Sequence, residues 1–124
     1  MVIWAETAIN HITQFIDDAK SGTEQTAKKY IEKLIDYVEI LNEMPNIGKT
    51  FASKVYKYEL RQLLYKKHRI IYYLNNDRVV ILAVIHTRLD VKKAIDRIKT
   101  KWFKKIYPQK IKTFSSLCKI MNKN

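Results

Sequence analysis

The hydrophobic period of this chain changes from helical to strand-like at Met44-Pro45-Asn46-Ile47-Gly48, and that change dictates a helical part followed by a sheet. Before it, Ala5, Ala8, Ile9, Ile12, Phe15 or Ile16 and Ala19 recur at three and four, the repeat of an amphipathic helix. After it, β-forming residues recur at two, the repeat of a strand with one buried face. Proline at the junction stops a helix and glycine permits a turn. Helices first and strands afterwards describe an α+β domain.

The elements follow from local pattern. Residues 2–4 read as a short apolar strand, and a helix runs from about Ala5 to Ala19. Gly22 breaks it. Ser21-Gly22-Thr23-Glu24 has the form of a capping box, in which hydroxyl and carboxylate each satisfy an orphan N–H. A second helix is predicted from about 24 to 43, with the stripe Ala27, Tyr30, Ile31, Leu34, Ile35, Val38 and Leu41. So short a connection makes the two helices an antiparallel hairpin. Three strands then follow: Val55–Leu64, Arg69–Leu74 and Arg78–Thr87. Asn75-Asn76-Asp77 is a hairpin turn, since Asn and Asp tolerate left-handed backbone. The third strand is apolar on both faces and belongs inside the sheet. Short connections predict an antiparallel meander.

After Asp90 the helical period returns, with Ile95, Ile98, Trp102 and Ile106 on one side among many basic residues. Pro108 ends that helix, and residues 109–121 fit one more short amphipathic helix. The expected organisation is therefore one domain over residues 1–96. A basic helical extension over 97–124 follows it and is not an independent domain. A length of 124 residues agrees with a single domain.

Charge is the first pointer to function. The net charge is +12, and it is unevenly spread. Residues 1–53 hold five basic and eight acidic side chains, whereas residues 54–124 hold nineteen and four. Residues 97–124 carry nine basic side chains and no acid. Such asymmetry calls for a polyanionic or acidic partner. No apolar run approaches the roughly 18 residues of a membrane helix, so no membrane partner is expected. The N-terminus has no basic segment ahead of an apolar one, and the single cysteine, Cys118, cannot close an intrachain disulfide. The expected compartment is the cytoplasm.

Few residues are suited to chemistry. Alternation puts Lys57, Glu59 and Arg61 on one face of the first long strand, opposite Tyr56, Tyr58 and Leu60. His86 and Arg88 share a face at the end of the third, while Arg69 opens the second. Cations on a sheet can clamp a phosphodiester, and a histidine can act as acid or base near neutral pH. Arg97, Lys101, Trp102, Lys104 and Lys105 form a basic, aromatic stretch suited to a nucleic acid or another target. His11, His68 and His86 lack metal spacing, Gly22 and Gly48 are isolated, and no serine sits in a Gly-x-Ser-x-Gly turn. No metal or cofactor is expected.

One ordered set of residues resembles a known family. It comprises Val2-Ile3-Trp4 leading to Ala8, Ala27 with Tyr30-Ile31, and Leu41 before Pro45-x-x-Gly48. It continues with Tyr58-Glu59-Leu60, Arg69-Ile70-Ile71-Tyr72 and Val79-x-Ile81-Leu82-x-Val84-x-His86-x-Arg88-x-Asp90. Together these are similar to the RelE/ParE toxins of type II toxin–antitoxin modules, the ParE branch in particular. The resemblance implies a toxin that inhibits growth by poisoning DNA gyrase and is neutralised by a cognate acidic antitoxin. In that mechanism it is a binder and not an enzyme. The alternative it implies is a ribosome-dependent mRNA endoribonuclease, in which Lys57, Arg61, Arg69 and Arg88 hold the phosphate and His86 donates a proton. A non-catalytic nucleic-acid-binding module is the third reading. Glu59 stands where the nuclease branch carries a further lysine, and an anion there repels phosphate. For target binding the resemblance and the charge point to Lys57, Arg69 and Arg88 and to the basic residues beyond Asp96.

Overall fold

The protein is described by a computed structural model covering residues 1–55 and 58–102; for 52–55 and 99–102 only the backbone path is described. Strand β1 (Val2–Trp4) leads into α1 (Glu6–Asp17) and α2 (Glu24–Val38), which ends in one 3₁₀ turn (Glu39–Asn42). Four strands follow: β2 (Lys49–Val55), β3 (Tyr58–Tyr65), β4 (His68–Asn75) and β5 (Arg78–His86). Helix α3 (Val91–Trp102) closes the described chain. The sheet order is β1-β5-β4-β3-β2.

The α+β architecture agrees with the sequence reading, and three details correct it. First, β1 pairs in parallel with β5, Val2 opposite Val79 and Trp4 opposite Ile81, so the sheet is mixed. In the chain the helical hairpin separates β1 from the other strands, so this pairing joins residues far apart in sequence. Second, the strand expected over Val55–Leu64 is β3, and an unexpected strand, β2, precedes it and pairs with it antiparallel, Thr50 opposite Arg61. Strand β2 sits at a sheet edge and carries extra residues between Thr50 and Lys54. Third, the capping box does not form. Thr23, not Ser21, precedes α2, and its hydroxyl donates to Lys20 O. The Glu24 carboxylate accepts the Gly22 N–H at 3.0 Å.

The two faces of the sheet are covered separately. On one face Trp4, Ile70, Tyr72, Ile81 and Val84 meet the apolar stripes of α1 and α2, including Ile12, Ile31 and Leu34. On the other, Leu60, Ile71, Tyr73, Val80 and Leu82 meet Ile95 and Ile98 of α3. Burial of each such aliphatic side chain is worth about 1.5–3 kcal/mol. Helix α3 therefore completes the core. It runs unbroken across the boundary expected between residues 96 and 97, and Ile98 beyond that boundary is buried.

Strand β5 changes step at Leu82. Ile71 pairs with Ala83 and Tyr72 with Ile81, so Leu82 is an extra residue. This bulge turns Leu82 and Ala83 both toward α3, and Val84 and His86 toward the helical hairpin. Beyond the reach of β1 the edge of β5 is completed by side chains of α1. Thr7 donates to Leu82 O at 2.6 Å, and Val84 N–H donates to His11 Nδ1 at 3.1 Å. Thr7 and His11 are four residues apart, so one helical face supplies both.

Candidate functional site

The structure distributes the expected sheet cations over both faces. Arg61 lies on the hairpin side, opposite Tyr72 across the β3–β4 ladder. Its Nη1 donates to Gly48 O at 2.8 Å and to Asn46 O at 3.2 Å. Those carbonyls belong to the turn that enters β2, so Arg61 clamps that turn. Arg69 alternates with Ile71 and Tyr73 and lies on the α3 side. Its Nη1 donates to Gln62 Oε1 at 2.7 Å, and its Nε is buried with no hydrogen-bond partner. The sheet itself separates the two arginines, so one phosphate cannot lie against both. Glu59 is exposed two residues from Arg61 on the same strand. Lys57 lies outside the described residues.

The end of β5 is organised differently. His86 faces His68 directly across the β4–β5 ladder, their rings edge-on with centroids 5.5 Å apart. His68 is buried, at 8% exposure, and its ring is also edge-on to Phe15 of α1 at 5.2 Å. Tyr30 of α2 lies 2.8 Å from its Nδ1. Burial first, and the neighbouring His86 second, push the His68 pKa down, so the ring resists taking a proton. Burial likewise pushes the Tyr30 hydroxyl up. The ammonium of Lys66 lies 5.9 Å from the Tyr30 ring and 5.5 Å from the Tyr65 ring.

Beside this cluster is a cleft of about 500 Å3. Helix α1 lines it with Asn10, His11 and Phe15, the strands with His68 and His86, and α3 with Arg97 and Ile98. Arg88, exposed just past β5, gives its backbone N–H to His86 Nδ1 at 3.0 Å. The structure thus brings His86 together with Arg97, both expected from sequence, and adds His11, His68 and Tyr30. Sequence reasoning passed over these three because each sits in an apolar stripe or lacks a spaced partner. Only tertiary contact pairs them. Lys101 and Trp102 end α3, where the backbone alone is described, and Lys104 and Lys105 lie outside the described residues. Among the described residues, no group of three or more His, Cys, Asp or Glu side chains is placed to hold a metal ion.

Exposed Lys92, Lys93 and Arg97 stand on α3 opposite its buried Ile95 and Ile98. Residues 2–91, from β1 to the start of α3, match the family model described as the ParE toxin of the type II toxin–antitoxin system, parDE. The chain belongs to the ParE toxin family. This ParE toxin is accordingly the toxin of a type II toxin–antitoxin system, with a cognate antitoxin as its partner. No curated protein matches the chain significantly. The matched segment ends where α3 begins, so most of the helix that closes the second sheet face lies beyond the family's shared pattern. No helix among the described residues is long and apolar enough to cross a membrane.

Proposed function

We propose that this ParE toxin arrests growth in the cytoplasm by binding DNA gyrase and trapping it on cleaved DNA. The ParE family match carries this reading. It is supported by the placement of Arg61 and Arg69 on opposite faces, each bonded within the fold, which removes two cations from any single phosphodiester clamp. A binder needs no such clamp. The exposed cations of α3 give it a surface of the right sign for a complex that contains DNA. An acidic antitoxin offsets the +12 charge of the chain.

The test is a plasmid supercoiling assay with purified toxin, gyrase and ATP. The expected result is loss of supercoiling with accumulation of linear, protein-linked DNA, reversed by the antitoxin. Unchanged gyrase activity from a toxin that still arrests cells, reversibly by antitoxin, would overturn the reading. Translating ribosomes would then be the target to test.

A further inference from the structure

Large apolar side chains are left exposed along one stretch of the chain, from the last turn of α2 to the turn that enters β2. Tyr37, Met44 and Ile47 keep 37%, 45% and 46% of their surface, and Ile40 between them is half-buried. Met44 N–H donates to Ile40 O at 2.9 Å and Ile47 N–H to Met44 O at 3.2 Å, so the four follow one another at the step of a helical turn. The ridge is held rigidly. Tyr72 Oη bonds Gly48 N–H and Pro45 O, and Arg61 Nη1 bonds Asn46 O and Gly48 O, which fixes the turn that carries Met44 and Ile47. At the other end the Tyr37 ring lies 5.2 Å from the Tyr65 ring, itself beneath the Lys66 ammonium. A fixed apolar ridge turned to solvent is the signature of a contact surface that needs little reordering to bind.

Charge decides what covers it. Residues 1–53, which contain the whole ridge, hold five basic and eight acidic side chains, against nineteen and four in residues 54–124. The exposed charges beside the ridge in the chain have both signs, Lys33 and Lys49 against Asp36 and Glu43. Such a mixed rim has little hold on a polyanion. Two chains of +12 repel each other wherever their basic halves meet, and this near-neutral ridge is where they approach with least repulsion. Each copy offers the same apolar side chains and both signs of charge, which suits the self-matching contact of a two-fold dimer. We propose that two copies of this toxin pair through the Tyr37–Ile47 ridge. Helix α3 covers the opposite face of the sheet from α2, so pairing leaves Lys92 and Lys93 of both copies exposed. A dimer then meets a nucleic acid with two basic surfaces in place of one. The inference is independent of the gyrase reading.

The experiment is sedimentation equilibrium on the full-length toxin, free of antitoxin and nucleic acid, from low micromolar to several hundred micromolar protein. The mass is expected to rise from 14.8 kDa toward twice that value. Raising the salt from about 0.05 M to about 0.3 M should tighten the pairing, because it screens the repulsion between the two chains. Met44→Glu and Ile47→Glu, both at exposed positions, are each expected to weaken it at least about tenfold, roughly 1.4 kcal/mol, with circular dichroism unchanged. Leu89→Glu, equally exposed but outside the ridge, should leave it as it is. A dilution series of amide NMR spectra gives the second readout, with concentration-dependent shifts expected around Tyr37, Met44 and Ile47. A monomer at every concentration would overturn the proposal and leave the ridge to the antitoxin or another protein. Association that weakens with salt would also overturn it, since that is the behaviour of chains bridged by a polyanion. So would a dimer indifferent to both ridge substitutions, or amide shifts confined to other elements.

Discussion

The hydroxyl of Tyr72 accepts the Gly48 N–H at 2.8 Å and donates to Pro45 O at 2.8 Å, so one buried side chain of β4 holds the turn that enters β2. Burial pushes the Tyr72 pKa up, against the opposing effects of the Gly48 bond and the nearby Arg61 charge. The hydroxyl therefore stays protonated and able to make both bonds. Gly48 is required here for space. A Cβ at this position would clash with the Tyr72 hydroxyl, and would lie 2.7 Å from Tyr72 Cε1 and 2.8 Å from Gln62 O.

Two substitutions separate these effects. Tyr72→Phe leaves two backbone groups without their partner and is expected to cost about 1–3 kcal/mol in urea unfolding. Gly48→Ala is expected to cost at least as much, because the ring or the β3 backbone must shift. The double variant should cost less than the sum, since removing the hydroxyl relieves part of the clash. Strict additivity would show that the two residues do not act on one another.

Arg61 offers a test of clamp against catalyst. Arg61→Lys keeps the charge but loses the planar Nη1 group that donates to both Gly48 O and Asn46 O. It should lower stability by about 1–2 kcal/mol. Growth arrest measured below the melting temperature should be retained. Loss of arrest in a fully folded variant would assign Arg61 to the target surface instead.

The α1 side chains on the open edge of β5 make their own prediction. Thr7→Val leaves Leu82 O without its donor, and His11→Phe leaves Val84 N–H without its acceptor. Each is expected to cost about 1–3 kcal/mol. Hydrogen exchange should locate the second effect: the Val84 amide exchanges faster in His11→Phe, while β3 amides keep their relative protection. Unchanged exchange at Val84 would show that the bond does not persist in solution.

Acid should destabilise the fold through His68. Its folded pKa lies below the ordinary value of about 6.5, so the unfolded chain binds more protons between those two values. Stability is full above pH 6.5, falls as the pH drops toward the folded value, and levels off below it. Unfolding curves between pH 7.5 and 5 should show this slope, and His68→Gln should flatten it. Among the described residues, the side chains seen against the ring are Phe15, Tyr30 and His86, none of them a carboxylate.

Truncation after Asp90 removes α3 and uncovers Leu60, Ile71, Tyr73, Val80 and Leu82 on one sheet face. The expected outcome is aggregation or loss of cooperative unfolding, with no folded toxin lacking only its target surface. Charge reversal at exposed Lys92 and Lys93 avoids this, because Ile95 and Ile98 stay in place. Those variants should fold normally and bind gyrase–DNA complexes more weakly. A well-folded truncated chain would refute the structural role of α3.

The sequence by itself determined what local periodicity can carry. The stripe of Ala8, Ile12 and Ile16 required a helix buried on one face, and the run from Val79 to Ile85 required an interior strand, as β5 is. The Asn75-Asn76-Asp77 turn was legible because Asn76 adopts the left-handed backbone its side chain tolerates, at φ 58°. Strand β2 was not legible, because an edge strand with extra residues has no strict alternation to show. The parallel pairing of β1 was hidden for another reason: Val2 and Val79 are joined only by register, which is a long-range property. The bulge at Leu82 decided that His86 would face His68 and the helical hairpin, while the alternation of β4 and β3 placed Arg69 and Arg61 on opposite faces. Residue type announced the charges and imidazoles of this toxin. Their grouping was decided by strand register and by α3 folding back over the second face of the sheet, because each side chain's direction depends on the backbone step that precedes it.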